Sequence, residues 1–284
     1  MKFLVLGAGG MAGHIISVYL NEKGHDVTGF ALNQLTFCKT EVGDAQDKHL
    51  LTDIIGKGKF DSVINCIGIL NQFADRNKGL AIYLNSYLPH FLAEITAETP
   101  AQIIHMSTDC VFSGKRGLYT ESDNPDGESV YDKTKALGEL NDNKNVTFRN
   151  SIVGPDINES GIGLFNWFMK QTGPIKGYTS AIWTGLTTLQ LAKVMESAAK
   201  ERVSGLFNMV YDEPVNKFEL LSLFNKYFRS NQIIIEPYTG VELNKSLKRT
   251  NFSFDFQIPD YDIMVHELSK WVSAHKYLYP HYQL

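Results

Sequence analysis

The stretch Lys2-Phe3-Leu4-Val5-Leu6-Gly7-Ala8-Gly9-Gly10-Met11-Ala12-Gly13 decides the fold. The apolar run Phe3 to Leu6 stops at glycine, and from Met11 to Glu22 apolar residues return at helical spacing as Met11, Ile15, Val18 and Tyr19. The order is strand, turn, helix. Gly7, Gly10 and Gly13 occupy the turn at three-residue steps, where bare backbone N–H groups and a helix N-terminus can hold a pyrophosphate. Gly7, Gly10, Met11 and Gly13 are therefore candidate cofactor-binding residues.

Working outward, Val27 to Phe30, Val63 to Ile67, Ile103 to Met106 and Val146 to Phe148 supply four more apolar runs. Between them lie helical patterns at Leu50 to Ile55, through Leu80, Leu84, Leu88 and Leu92, and from about Tyr131 to Leu140. Near-continuous apolar strands alternating with helices predict an α/β chain with a doubly wound parallel sheet, Rossmann-like, that binds ligands at its carboxyl edge. After Gly154-Pro155 the rhythm changes: a helix includes Leu189, Val194 and Met195, a strand runs from Leu206 to Val210, and a helix carries Leu220, Leu221 and Phe224. The expected organisation is a dinucleotide-binding domain over residues 1–152, completed by about 187–213, and a smaller substrate lobe from 153–186 and 214–284.

Composition narrows the function. Lys plus Arg number 27 against 31 Asp plus Glu, a net charge of −4, so no global positive field exists to hold a nucleic acid. No run approaches the roughly 18 apolar residues of a membrane span, and Gly7 interrupts the N-terminal apolar run too early for a signal peptide. Cys38, Cys66 and Cys110 match neither a zinc pattern nor a disulfide framework, which fits a reducing cytoplasm. The eight histidines form no HxH or HExxH pair and no GxSxG elbow occurs, so neither metal nor serine-hydrolase chemistry is expected.

Tyr131 and Lys135 lie four residues apart and share one helix face. Tyr19 and Lys23 have the same spacing but read as an amphipathic surface pair; Tyr131 differs because it follows Ser107-Thr108-Asp109 at the carboxyl edge of the fourth apolar run. The three-residue glycine steps and this pair resemble short-chain dehydrogenases and reductases, and the resemblance implies that Thr108, Tyr131 and Lys135 form a candidate catalytic trio for hydride delivery to a ketone: Thr108 orients the carbonyl, Tyr131 supplies the proton, and Lys135 anchors the ribose and lowers the phenol's pKa. Moving a phenol from about 10 to about 7 takes roughly 4 kcal/mol, which a unit charge at about 4 Å and an effective dielectric of about 20 can supply.

The run Ser107 to Gly114 (STDCVFSG), Tyr119-Thr120-Glu121 and Tyr131 to Glu139 (YDKTKALGE) resembles the dTDP-4-dehydrorhamnose reductases of the extended short-chain dehydrogenase/reductase superfamily. Arg149-Asn150-Ser151, Gly185 to Thr188 and Lys245-Ser246-Leu247 extend the resemblance along nearly the whole chain. It implies NAD(P)H-dependent reduction of the 4-keto group of a nucleotide-linked 6-deoxy sugar, for a surface polysaccharide precursor. Sister dehydratases place an Asp-Glu pair after the threonine; here Cys110 follows Asp109, leaving no base for the C5 proton. An epimerase or dehydratase with retained NAD, or a non-catalytic nucleotide-binding regulatory subunit, stands as the alternative.

The resemblance also marks further residues. Asp44 is similar to the family's adenine-contacting aspartate, against the rival reading of a helix cap. Gly68 follows the third apolar run where family members line the cofactor ribose, and Asn85 is similar to an asparagine that braces strands. Thr108, Asp109, Arg149 and Trp183 are candidate contacts to sugar or nucleotide, the last two weighed against an ion pair and an aromatic core residue. Gly29 to Asn33 carries neither the acid that favours NAD nor a basic residue, and with Lys39 nearby the reading leans to NADPH over NADH. The expected partner is the nucleotide-sugar substrate, with a homodimer left open.

Overall fold

The computed structural model describes residues 1–282. Seven parallel strands form its main sheet: β1 (Lys2–Leu6), β2 (Asp26–Ala31), β3 (Lys39–Val42), β4 (Ser62–Asn65), β5 (Gln102–Met106), β6 (Val146–Arg149) and, after four strands outside this sheet, β11 (Gly205–Asn208). The spatial order is β11-β6-β5-β4-β1-β2-β3, so the direction of winding reverses at β1, between β2 and β4. Such a reversal opens a crevice at the carboxyl ends of the strands. In β1, Phe3 and Val5 join the larger buried cluster while Leu4 and Leu6 join a second one, which is the period-two alternation of a strand covered on both faces.

Helices α1 (Met11–Glu22), α2 (Lys48–Gly58), α3 (Asn71–Arg76), α4 (Lys78–Ala81), α5 (Leu88–Ile95) and α6 (Val130–Leu137) connect the early strands. The sheet adds to the five early apolar runs the expected strand at Leu206 and one strand the sequence does not mark. β11 is the Leu206 run and pairs in register with β6, Phe207 opposite Phe148. β3, Lys-Thr-Glu-Val, is a half-exposed edge strand, and its charged side chains carry no apolar pattern while they suit an unprotected edge.

The helical pattern through Leu80, Leu84, Leu88 and Leu92 is also interrupted. A π-helical segment, Ile82–Tyr87, separates α4 from α5. Pro89 has no N–H to give to the carbonyl of Asn85, four residues earlier, so regular α-helical bonding fails there. Asn85 is buried in this segment; its Nδ2 donates to the Ile69 carbonyl (3.0 Å) and to Thr134 Oγ1 (3.1 Å), and its Oδ1 accepts from Ile69 N (2.8 Å). It ties the loop after β4 to α6, a brace between loop and helix.

Beyond β6 come β7 (Ser151–Val153), α7 (Leu164–Met169), β8 (Ile175–Tyr178), β9 (Ala181–Trp183), β10 (Gly185–Thr187), α8 (Thr188–Glu201), β12 (Val215–Asn216), α9 (Lys217–Phe228), β13 (Ile235–Tyr238), β14 (Leu243–Asn244) and α10 (Tyr261–Ala274). α8 packs on α1, and these strands form only two- and three-stranded sheets. Tyr19, expected on the surface, is buried in the α1–α8 contact and donates to Glu196 Oε2 at 2.8 Å, with the Lys23 ammonium over its ring. No helix among the described residues is long and apolar enough to cross a membrane.

Candidate active site

The glycine turn is built by backbone constraints. Gly7 has φ +76°, a left-handed conformation that side chains disfavour, and Gly7 N and Ala8 N both donate to the Phe30 carbonyl (3.0 and 3.1 Å), fastening the turn to β2. A side chain at Gly13 would collide with the Gly7 carbonyl, so glycine there lets α1 lie against the turn. α2, α6, α8, α9 and α10 begin with side-chain caps from Asp47, Ser129, Thr187, Asn216 and Asp260. α1 has Gly10 as its N-cap, with no side-chain cap and no acid in its first turn. Its first N–H groups and positive dipole end are thus left for an anion, which is the fit a dinucleotide pyrophosphate requires.

A cleft of about 400 Å³ opens beside this turn. Gly10, Met11, Gly68, Thr108, Asp109, Tyr131 and Lys135 all line it, so residues up to 125 positions apart in sequence meet at the carboxyl edge of the sheet. Gly7 and Gly13 shape the turn from behind. Ser129 and Asp132 form a reciprocal capping box that starts α6 one residue before Tyr131. α6 ends at Leu137, three residues short of the expected Leu140. Thr108 caps a short 3₁₀ turn, Asp109–Val111; its Oγ1 accepts from Cys110 N (3.1 Å) and donates to Asp109 Oδ1 (3.1 Å).

The electrostatics differ from the sequence expectation in one respect. Burial pushes the Tyr131 phenol above its ordinary pKa, Cys110 and Asp109 add to the rise, and the Thr108 hydroxyl opposes it. Lys135 does not lower it. Burial instead brings the Lys135 ammonium down to about 8, with Glu139 opposing, and Nζ donates to the Met106 carbonyl at 2.6 Å. Desolvation disfavours both charged forms, and here it outweighs the attraction that spacing alone predicts. The protein therefore holds Tyr131 as a protonated phenol, the state that a proton donor needs. Cys110 is also pushed up by burial, to about 12, and so is a neutral thiol.

Other sequence candidates fall outside the cleft lining. Arg149 is 2% exposed: its Nε and Nη2 donate to Glu139 Oε1 (2.8 Å) and Oε2 (2.7 Å), and Ser107 Oγ donates to the same Oε1 (2.7 Å). A bidentate fork committed to a buried carboxylate leaves Arg149 as a support beneath Ser107–Thr108 rather than a substrate contact. Trp183 is buried against Tyr261 and does not line the cleft; the Lys217 ammonium sits 4.8 Å from its ring centre. Asp44 is exposed and accepts from Gln46 N (2.9 Å) and Nε2 (3.1 Å), while the cap of α2 is Asp47, so the rival helix-cap reading of Asp44 is corrected.

Two residues of the cleft lining, and one charge outside it, escaped sequence reading. Asn150 lines the cleft, is buried, and has no partner on either amide atom among the described residues. Asp156 lines it too, its carboxyl pushed up by burial. Lys217, at the start of α9, is brought down to about 8 by burial, and with Lys245 it pulls down the Asp109 carboxyl, which burial raises. Lys217 does not line the cleft; it follows a helix cap in sequence and carries no local sign that its charge acts on Asp109. No three His, Cys, Asp or Glu side chains gather as metal ligands among the described residues.

Fold and cleft together define a class: a doubly wound dinucleotide fold with threonine, tyrosine and lysine at the carboxyl edge of its sheet. The chain belongs to the family described as RmlD substrate binding domain, whose model matches residues 1–258, within the extended short-chain dehydrogenase/reductase superfamily. It is 32% identical over 143 residues to the probable low-salt glycan biosynthesis reductase Agl14 of Haloferax volcanii, covering 49% of this chain and 48% of that protein. It is 30% identical over 144 residues to a dTDP-4-dehydrorhamnose reductase of Mycobacterium tuberculosis, covering 49% and 44%. The chain thus matches about half the length of these curated relatives. Among solved structures, a dTDP-4-dehydrorhamnose reductase of Clostridium acetobutylicum superimposes with a TM-score of 0.79 at 21% identity, over 96% of this chain and 100% of that one. The Bacillus anthracis enzyme in complex with NADP gives 0.79 at 19%, over 94% and 98%. These likenesses show the doubly wound fold.

Proposed function

We propose that this protein is an NADPH-dependent reductase of the 4-keto group of a nucleotide-linked 6-deoxy sugar, working in the cytoplasm on a surface polysaccharide precursor. The observation that carries the reading is the convergence of Thr108, Tyr131 and Lys135 with Gly10 and Met11 in one cleft. When bound, the reduced nicotinamide supplies the hydride that the carbonyl carbon accepts. Tyr131 donates its phenol proton to the carbonyl oxygen, Thr108 orients that oxygen, and Lys135 holds the ribose from the floor of the cleft. Met11 and Ala12, whose N–H groups open α1, would present them to the pyrophosphate, while the Gly10 N–H is taken by the Gly7 carbonyl at 2.9 Å. The NADP bound by the Bacillus anthracis relative supports NADPH, with NADH the competing cofactor.

Dehydration has less support, because the neutral Cys110 thiol sits where that reaction needs a base. Incubating the purified protein with NADPH or NADH and a panel of 4-keto nucleotide sugars tests the reading by loss of nicotinamide absorbance and by product configuration. Cofactor oxidation that depends on one such sugar is expected; none across the panel overturns it. Light scattering of the same sample tests the homodimer.

A further inference from the structure

The segment after α10 returns to the cofactor side of the cleft. Tyr279 is 1% exposed and His14 is 0% exposed. His14 Nδ1 lies 2.9 Å from the Gly10 carbonyl, which can only accept, so Nδ1 carries the proton. Burial holds His14 down to about 4, and the ring is neutral. Nε2 is then an acceptor, and the Tyr279 hydroxyl 2.7 Å away must donate to it. The direction of this relay, Tyr279 to His14 to Gly10, follows from chemistry at its far end. Gly10 is the N-cap of α1 and lines the cleft.

Three residues on, Tyr282 does the equivalent for the opposite wall. Asp156 N donates to the Tyr282 hydroxyl at 2.9 Å. Asp156 and Gly163 line the cleft facing the glycine turn, and a side chain on Gly163 would come within 3.0 Å of Met11 Sδ, so the walls touch at this point. The rings of Tyr279 and Tyr282 stack with centroids 5.6 Å apart and an interplanar angle of 20°. One rigid aromatic pair therefore bonds to both walls.

We propose that Tyr279 and Tyr282 are positioning residues that set the separation of the two walls of the dinucleotide cleft, Tyr279 through His14 and the Gly10 carbonyl, Tyr282 through the Asp156 backbone. Neither touches the reacting atoms. The proposal deepens the cofactor-binding reading above and rests on it for its effect on NADPH, while the brace itself can be tested without cofactor.

The test uses the full chain and Tyr279→Phe, Tyr282→Phe and His14→Leu. Phenylalanine keeps the ring and its packing and removes one hydroxyl. Amide hydrogen exchange without cofactor is expected to quicken in both tyrosine variants, at residues 7–14 for Tyr279→Phe and 156–163 for Tyr282→Phe, with β4 and β5 unchanged. NADPH titration is expected to show about tenfold weaker binding for Tyr279→Phe, the scale of one buried acceptor left unpaired. The KM for NADPH should rise while kcat at saturating NADPH stays the same. His14→Leu should match that loss, and the double variant with Tyr279→Phe should add nothing to it. A control with similar loss of stability, Leu268→Ala in α10, should leave NADPH affinity unchanged. Unaltered exchange, or additive effects of His14→Leu and Tyr279→Phe, overturns the brace. If the wild-type chain binds no nicotinamide dinucleotide while exchange responds as expected, the cofactor reading falls and the brace stands.

Discussion

On the α6 side of the cleft the Lys135 ammonium is buried and donates to the Met106 carbonyl; outside the cleft lining, at the start of α9, Lys217 is brought down equally by burial but makes no side-chain hydrogen bond among the described residues. Lys217 has instead the face of Trp183 and the field of Asp109. A carbonyl fixes a cation in place, whereas a ring face and a carboxylate at a distance attract it without fixing one geometry. The first arrangement suits a group that must hold a ribose at one position beside Tyr131. The second suits a charge that acts on Asp109 from outside the cleft lining without holding one position.

The largest test of this contrast is on the rigid side. Tyr131→Phe should retain cofactor affinity in titration and lose on the order of 10² to 10⁴ in turnover, since the phenol proton has no replacement there. Turnover at wild-type level would remove Tyr131 from the chemistry. Next comes the support beneath it. Arg149→Met leaves Glu139 buried without its fork, and urea unfolding should show a loss of about 3–5 kcal/mol. A loss below about 1 kcal/mol would mean that the pair is solvated and that Arg149 is free for substrate.

A smaller effect separates the two lysines by pH. Lys135 is a cation below about 8, so kcat/KM should fall above that value by about tenfold per pH unit. Lys217→Met should keep this limb, and Lys135→Arg should move it upward; loss of the limb in Lys217→Met would reassign it to the later lobe. Stability runs the other way. Because burial lowers the Lys135 pKa from 10.5, the unfolded chain binds more protons between about 8 and 10.5, and this group's contribution to stability rises with pH across that window. The smallest expected change is again on the adjustable side. Lys217→Met leaves Lys245 and the hydrogen bonds of Thr108 and Cys110 to oppose the burial of Asp109, and an acid limb of kcat/KM set by this carboxyl should move up by about one pH unit or less. An acid limb that moves down would show that Lys217 does not act on Asp109.

Legibility follows the same division. α1 begins and ends at the residues its periodicity marks, Met11 and Glu22, because a strand–turn–helix unit is specified by neighbours within a few positions. β3 was illegible because an edge strand lacks apolar alternation, and the π-helical break because its cause, Pro89, acts four residues upstream. Within the site, Thr108, Tyr131 and Lys135 were legible as a pattern, and Gly10 and Gly68 as glycines after strands. Asn150 and Lys217 were not, since nothing in their own segments records what they face.

From the order of its residues alone this chain is a doubly wound α/β protein with a glycine turn and a tyrosine and lysine on one helix face, because dihedral preference and side-chain periodicity are local. The charge states were decided by the assembled molecule. Tyr131 raised rather than lowered, Arg149 spent on Glu139 and Lys217 brought to Asp109 all depend on which surfaces exclude water from one another, and desolvation is set only once distant segments have packed.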